Sequence, residues 1–329
     1  MDVPANLPIL VKERFNAAKD SGALNFYPTQ VALLPCGEPR IPFQVRFSPA
    51  LAHKPKADKP KDSKKPFDPF LDPPPDLLVC ELPPQHNIVL NKFAIVPEHF
   101  ILATKEFKEQ THLLDEADLA AAYACLTAYR GHGTLFGFFN SGEHSGASQP
   151  HRHIQFLPVQ SMKEGTGDDV WQPLAESLAA VTPAPDSELP FAYFAERLPQ
   201  NPRPSELLQI YRLLYENACK AVRLYIAENP GCELQLKDEQ DGSAAISYNM
   251  GLTDGVMVLC PRISEGKIIP DQEGNPVGPI ALNGTVLAGT LLVKSEAEWA
   301  ALKEDKSKLV SVLAAIGIPP APHHVDGRL

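Results

Sequence analysis

The sequence predicts an α+β fold in which helices flank an antiparallel sheet. Proline accounts for 34 of the 329 residues, about 10% against a usual ~5%, and such frequent interruption argues against a helical bundle. Short apolar runs with strand character lie between helices without regular strand–helix–strand alternation, which disfavours a doubly wound parallel sheet. Neither Gly-x-Gly-x-x-Gly nor a phosphate-binding Walker lysine loop occurs, so the usual dinucleotide and triphosphate cradles are not expected.

The first elements follow from apolar spacing. Residues 7–23 carry apolar side chains at helical intervals, and residues 41–47 alternate apolar and polar, as in a half-buried strand. The stretch 54–65 contains six lysines and repeated Lys-Pro steps, which predicts an extended basic loop. Three short apolar runs within residues 76–104, separated by prolines, predict a three-stranded meander.

The middle of the chain holds the clearest helix. Residues 115–129 begin with acidic side chains, which suit a helix N-terminus, and continue rich in alanine. A strand at 134–139, a loop at 140–150 and a strand at 151–157 follow. Residues 160–204 are predicted to be loop-rich around one short helix near 171–181.

The remaining sequence begins with a long amphipathic helix at 205–228. The pattern then predicts strands at 244–250, 256–261 and 288–293, and helices at 296–302 and 308–315. A length of 329 residues is typical of about two domains. We therefore divide the chain into an N-terminal half (1–165), a loop-rich connection (166–204) and a C-terminal half (205–329).

Charge and cysteine usage limit the partners. With 30 basic and 40 acidic residues the net charge is −10, which disfavours binding to nucleic acid or anionic membrane. An anionic substrate would therefore need a local basic patch. The six cysteines never form Cys-x-x-Cys and no signal peptide is apparent, so we expect reduced thiols and a cytoplasmic protein. No apolar run reaches the ~18 residues of a membrane span.

The most informative motif is His-x-His-x-Gln at residues 151–155. Because side chains alternate along a strand, His151, His153 and Gln155 should share one face, with the intervening residues facing the other side. A neutral imidazole is a good nucleophile toward phosphorus, and the middle histidine is best placed to attack. We expect a hydrogen-bond acceptor, such as a backbone carbonyl, on its other ring nitrogen.

The neighbours of this motif suit a phosphate substrate. The Gln155 amide can hold a phosphate oxygen but cannot deprotonate water, which favours group transfer over hydrolysis. In the preceding loop, Gly142 and Gly146 allow backbone N–H groups to approach phosphate, and Ser145, Ser148 and Gln149 add donors. Other interpretations stay open: His144 or His99 could complete a zinc or iron site, the glycines could be turn residues, and the lysine loop could be merely solvated.

At this point the sequence resembles a known family. The residues His-Arg-His-Ile-Gln after SGASQP are similar to the active-site signature of the histidine-triad superfamily, in the form where glutamine replaces the third histidine. More narrowly, the chain resembles the diadenosine tetraphosphate phosphorylases, or ATP adenylyltransferases, of the fungal type. The matching stretches are FSPALAHKP, LNKFAIVPEHFILATKEFKEQ, FFNSGEHSGASQPHRHIQ, SYNMGLTDGVMVLCPR and NGTVLAGTLLVK.

The resemblance implies a histidine-triad-like fold and the phosphorolysis of diadenosine tetraphosphate to ATP and ADP, with a side exchange of sulfate with ADP. It implies His153 as the nucleophile that carries AMP, with Gln155 and His151 completing the catalytic row. A divalent cation, Mg²⁺, would accompany the polyphosphate without protein ligands, and the enzyme would be a monomer. The implied substrate contacts are Lys54, Asn91, Lys92, Asn140, Gly146, Ala147, Ser148, Gln149, Asn283, Gly284, Thr285, Thr290 and Lys294.

Two alternatives remain. A galactose-1-phosphate uridylyltransferase-like enzyme shares the His-x-His-x-Gln chemistry, although the chain has no Cys-x-x-Cys for the metal of such enzymes. The second alternative is a non-enzymatic module that uses the same histidines to bind a metal or a nucleotide.

Overall fold

A computed structural model describes residues 3–37, 41–52, 68–167, 171–179 and 189–320. The predicted basic loop at 54–65, with Lys54, lies outside the described residues. The described helices are α1 (Leu7–Asp20), α2 (Pro49–Ala52), α3 (Glu116–Ala128), α4 (Val159–Lys163), α5 (Leu174–Leu178), α6 (Pro204–Glu228), α7 (Glu296–Glu304) and α8 (Lys306–Ile316). The described strands are β1 (Asn25–Phe26), β2 (Gln30–Cys36), β3 (Ile41–Phe47), β4 (Leu78–Leu82), β5 (His86–Leu90), β6 (Phe93–Ala94), β7 (Phe100–Thr104), β8 (Leu135–Ser141), β9 (His153–Pro158), β10 (Phe194–Arg197), β11 (Ser247–Leu252), β12 (Val256–Arg262), β13 (Gly266–Pro270), β14 (Pro276–Ala281) and β15 (Thr290–Val293).

The main sheet has eight strands in the order β10-β12-β11-β8-β9-β7-β5-β4. All of its neighbouring strands pair antiparallel, and β9 lies between β7 and β8. A smaller sheet joins β2, β3 and β15. This architecture confirms the predicted α+β class with an antiparallel sheet flanked by helices. The main sheet takes strands from both sides of the 166–204 connection.

Side-chain alternation assigns the two faces of the main sheet. Ile154 and Phe156 of β9 belong to the core that the sheet shares with α1, α3 and α6. Leu157 belongs to the core on the opposite face, shared with β3, β15, α7 and α8. His153 and Gln155 therefore point away from α1, α3 and α6, as the period of two predicts.

The N-terminus of helix α3 holds the residue that precedes β9. Its N-cap Asp115 accepts a hydrogen bond from the Asp118 backbone N–H at 3.0 Å, and the Asp118 carboxylate accepts the Asp115 N–H at 3.1 Å, a capping box. The same carboxylate accepts Arg152 Nη1 at 2.7 Å and lies 2.9 Å from His86 Nε2. The confirmed helix therefore holds Arg152, which lies between the two histidines of the motif.

Local hydrogen bonds explain where the strand predictions were wrong. The second of the three apolar runs predicted within residues 76–104, at 87–96, divides into β5 and β6 because Asn91 Oδ1 accepts the Phe93 N–H at 2.9 Å, a turn. Strand β9 begins at His153 rather than at residue 151. The Arg152 N–H donates to the Lys108 carbonyl at 2.8 Å, which directs this segment to residues 108–110.

In the second half, the predicted strand 288–293 begins only at Thr290, because Gly284–Ala288 form a 3₁₀ helix that ends at the left-handed Gly289. The predicted short helix at 171–181 is α5, with Pro173 at its N-cap. Strands β2 and β10 and the β13–β14 hairpin were not predicted. No described helix combines the length and apolar character needed to cross a bilayer.

Candidate active site

The structure brings the motif residues together on one face of β9. His153 and Gln155 lie two apart on the strand, and His151 lies two residues before His153, in an isolated bridge to Glu109. The Phe70 ring contacts both imidazoles, at centroid distances of 5.0 Å to His153 and 5.8 Å to His151. The three predicted catalytic side chains therefore form a row.

His153 is held as a neutral imidazole in one tautomer. Its ring is only 3% exposed, and Nδ1–H donates to the His151 backbone carbonyl at 2.8 Å. This is the carbonyl partner that the chemistry requires, and it leaves the lone pair on Nε2. Burial lowers the pKa of His153 to about 4, opposed by this hydrogen bond and assisted by the charge of His151. The ring is therefore unprotonated at neutral pH.

Buried Gln110 fixes the backbone of the nucleophile. Its Oε1 accepts the His153 N–H at 2.7 Å, while its Nε2 donates to the carbonyls of Asn140 at 2.8 Å and His153 at 3.2 Å. Asn140 Oδ1 in turn accepts Asn249 Nδ2 at 2.9 Å, and Arg262 donates to Asn249 Oδ1. We call this chain of contacts, from His153 through Gln110, Asn140 and Asn249 to Arg262, the polar relay. All five residues are at most 3% exposed.

A cleft of about 540 Å³ adjoins the row and holds most of the predicted substrate contacts. The predicted residues that line it are Asn91, Gly146, Ala147, Ser148, Gln155, Asn283, Thr285, Thr290 and Lys294. Among the lining residues that the structure describes, Lys294 is the only lysine or arginine and Glu265 the only acid. Phe93 and Glu265 also line the cleft, without having been predicted.

Two glycines allow the walls of the cleft to approach each other. Gly146 has φ +76°, and a Cβ there would lie 2.8 Å from the Leu282 carbonyl and 2.8 Å from Asn283 Cβ. A Cβ on Gly284 would lie 2.8 Å from Asn140 Oδ1. These residues bring the loop after β8 against the segment before the 3₁₀ helix, so residues far apart in sequence face one cleft.

His99 supports the glutamine of the motif. Asn91 Nδ2 donates to His99 Nδ1 at 3.1 Å, which leaves the His99 proton on Nε2. Burial lowers the pKa of His99 to about 4, opposed by a hydrogen bond to the Gln155 side chain. Neutral His99 therefore orients the Gln155 amide. The sequence pattern indicated His99 only as a candidate metal ligand. No group of three His, Cys, Asp or Glu in the described ranges could hold a metal ion.

The other predicted contacts lie around the cleft. Asn140 and Gly284 form its support, because the Gly284 N–H donates to Asn140 Oδ1 at 2.8 Å. Lys92 is exposed, with its ammonium 6.0 Å from the Phe93 ring centroid, and Gln149 is half-buried on the loop. Whether these residues contact substrate stays a prediction.

A second cavity of about 590 Å³ lies elsewhere and includes Leu113, Leu208 and Arg212 among its lining residues. None of the predicted site residues lines it. We therefore assign the chemistry to the smaller cleft, which Gln155, two residues from His153 on β9, lines.

Comparison with known proteins places two family domains along this chain. The family described as Ap4A phosphorylase N-terminal domain matches residues 2–177, and ATP adenylyltransferase C-terminal domain matches residues 187–319; Ap4A denotes diadenosine tetraphosphate. The chain is 30% identical to diadenosine 5',5'''-P1,P4-tetraphosphate phosphorylase 2 of Saccharomyces cerevisiae, over 96% of each chain. It is 26% identical to Protein APA1 of the same yeast, over 97% of this chain and 96% of the other.

Solved structures show the same similarity. The crystal structure of yeast Ap4A phosphorylase Apa2 superposes with a TM-score of 0.76 at 25% identity, covering 98% of both chains. The structure of Apa2 in complex with Ap4A gives a TM-score of 0.75 at 25% identity, covering 98% of this chain and all of the other. By its two domain matches, its sequence relatives and its fold, this chain belongs to the Ap4A phosphorylase family of nucleotidyltransferases.

Proposed function

We propose that this protein cleaves Ap4A with phosphate to give ATP and ADP, through an AMP group carried on His153. The observation that carries the proposal is the His153 ring: Nδ1–H is committed to the His151 carbonyl at 2.8 Å, and Nε2 has no hydrogen-bond partner among the described residues. A neutral, oriented imidazole beside a nucleotide-sized cleft suits nucleophilic attack on phosphorus. The activity of the yeast relatives supports the substrate.

The first step forms a phosphorus–nitrogen bond. The Nε2 lone pair of His153 attacks the α-phosphorus of one adenosine, and the bond from that phosphorus to the bridging oxygen breaks. The bridging oxygen keeps the electron pair of the broken bond and leaves as part of the terminal phosphate of ATP. The His153 ring, now bonded at Nε2, keeps its Nδ1–H on the His151 carbonyl and carries a positive charge, which the carbonyl dipole stabilises.

The second step returns His153 to its starting state. A phosphate oxygen attacks the adenylyl phosphorus, the phosphorus–nitrogen bond breaks, its electron pair returns to Nε2, and ADP is released. Gln155 lines the cleft and is oriented by His99. Its amide can donate to a phosphate oxygen but cannot accept a proton from water. Phosphate, already ionised, needs no such base, so it outcompetes water as the acceptor.

The charge of the polyphosphate needs neutralisation at the cleft. Lys294 lines the cleft with no ion pair to a described residue, and Lys92 is exposed beside it. We propose that Mg²⁺ enters as part of the nucleotide substrate, because the described cleft holds no cluster of metal-ligating side chains. The ion would offset the charge that develops on the departing ATP.

Product analysis tests this function. The full chain is incubated with Ap4A and Mg²⁺, with and without phosphate, quenched in base, and the products are separated by chromatography. We expect equal amounts of ATP and ADP with phosphate. Without phosphate we expect at most one ATP per chain, with AMP bound to protein through an acid-labile, base-stable bond. Turnover without any protein-bound AMP would overturn the proposed intermediate.

Two further arms separate the alternatives. Incubation of ADP with sulfate tests the side exchange, which would release phosphate and form adenosine phosphosulfate. UDP-glucose with galactose 1-phosphate tests the uridylyltransferase alternative, and turnover of this pair in preference to Ap4A would contradict the proposal. A non-enzymatic module would give no products with either substrate.

A further inference from the structure

The surroundings of the His151 ring consist of hydrogen-bond acceptors. Its Nδ1 lies 2.7 Å from Asp68 Oδ2, and its Nε2 lies 2.8 Å from the Thr104 carbonyl oxygen and 2.9 Å from Thr104 Oγ1. The Thr104 hydroxyl donates its proton to the Glu106 carbonyl at 2.8 Å, so Thr104 Oγ1 can only accept a hydrogen bond from His151. Both ring nitrogens therefore face atoms that require a donated proton.

An imidazole that donates from both nitrogens is an imidazolium ion. We propose that Asp68 is a positioning residue that holds His151 as a buried imidazolium next to the nucleophile, an inference that rests on the proposed role of His153. The Asp68 carboxylate supplies the counter-charge, because a fully buried cation needs a paired anion. Charge-assisted hydrogen bonds of this length are the strong class.

The position of Asp68 is itself fixed by its neighbours. Asp68 Oδ1 accepts the Phe70 N–H at 2.9 Å, while Oδ2 serves His151. The Phe70 ring, 5% exposed, lies against both imidazoles. One short segment thus provides the anion for His151 and an apolar cover for His153, which excludes water from the pair.

The other charged groups around His151 are committed elsewhere. Arg152 pairs with Asp118, Lys105 with Glu81 and Lys108 with Asp115. The side chains of Glu106 and Glu109 are exposed to solvent. Among the described residues, Asp68 is therefore the carboxylate that sets the charge of His151, and His153 is the titratable group that responds to it.

The imidazolium serves the nucleophile in two ways. The backbone carbonyl of His151 accepts the hydrogen bond from His153 Nδ1–H. Its positive charge disfavours a second proton on His153, in the direction of the lowered pKa of that ring, and this keeps the Nε2 lone pair available. Without the Asp68 charge, His151 should lose its second proton. The His151 residue should then hold the His153 ring less firmly.

Long-range ¹H–¹⁵N NMR of the imidazole rings in the free full-length chain tests the charge directly. We expect both His151 nitrogens to be protonated at pH 7, and one to lose its proton in Asp68→Asn. The His151 signals are assigned by their loss in His151→Asn. Asp72→Asn, the same change at an exposed residue four positions on, should leave the His151 signals unchanged.

Kinetics provide the second readout. Removing a charge-assisted hydrogen bond that orients a catalytic side chain costs on the order of 10- to 100-fold. We expect Asp68→Asn to slow AMP transfer to His153 by that factor at pH 7, to change kcat more than KM, and to shift the acidic limb of the pH–rate profile upward. Asp72→Asn should match the wild type in all three.

Defined results would overturn the inference. A wild-type His151 with one unprotonated nitrogen at pH 7 would do so even if Asp68→Asn failed to fold. Unchanged His151 signals in a folded Asp68→Asn chain would also do so. A wild-type chain that never binds AMP at His153 would instead refute the proposed function, because the charge of His151 is measured without substrate.

Discussion

The Gln110→Ala substitution tests whether the polar relay holds the nucleophile. Gln110 is 2% exposed and makes three hydrogen bonds: one from the His153 N–H, and two to the carbonyls of His153 and Asn140. A buried hydrogen bond contributes about 1 kcal/mol net, and an orphaned buried group costs about 1–3 kcal/mol. We therefore expect the free energy of unfolding to fall by about 3–5 kcal/mol.

Urea unfolding followed by tryptophan fluorescence measures this loss, since Trp171 and Trp299 are buried. In the folded variant, turnover should fall on the order of 100-fold, as for a nucleophile misplaced by about 1 Å. The matched control is Gln209→Ala, the same change at an exposed position of α6, which we expect within about 0.5 kcal/mol of wild type. A Gln110→Ala chain as stable as this control would refute the reasoning.

Four further predictions follow from the site. His153→Ala should abolish turnover while retaining Ap4A binding, measured by product chromatography and calorimetry; normal turnover would contradict its role as nucleophile. Gln155→His should release AMP in competition with ADP, because an imidazole can activate water; unchanged AMP release would contradict the role given to the glutamine. His153 and His99 have a pKa of about 4 in the folded chain against 6.5 when unperturbed. The unfolded chain then binds more protons below pH 6.5, so each histidine should lower the free energy of unfolding by about 2 kcal/mol as the pH falls from 7.5 to 5, and His153→Ala should make this fall about 2 kcal/mol smaller in urea titrations. Gly146→Ala should destabilise more than Gly22→Ala: both have φ +76°, but only Gly146 would place a Cβ in contact with neighbouring atoms. Equal melting temperatures of these two variants would argue against the close packing.

The sequence predicted the parts of the site that depend on local pattern. The period of two placed His153 and Gln155 on one face of a strand, and elementary imidazole chemistry required the acceptor that the His151 carbonyl provides. The acidic start of α3 correctly predicted its N-terminus. These inferences concern residues close together in the chain, where backbone geometry determines side-chain direction.

Contacts between distant residues could not be predicted in this way. Gln110 lies in an irregular segment, and it meets His153 43 residues away. Asn249 and Asn140 are 109 residues apart, and Asp68 and His151 are 83 apart. The family stretches quoted above contain Gln110 and Asn249, but neither the motif nor its spacing gives these residues a role. Only the register of β8 against β11 and β9 brings them together.

The central position of β8 makes the two halves of the chain dependent on each other. One edge of β8 pairs with β9, and the other pairs with β11, from Gly137 opposite Leu252 to Ser141 opposite Tyr248. A fragment ending near residue 177 would contain the nucleophile. In that fragment, five consecutive residues of the hydrophobic strand β8 would have an unpaired edge, which is a template for aggregation. Active enzyme should therefore be recovered from separately produced fragments only when both refold together.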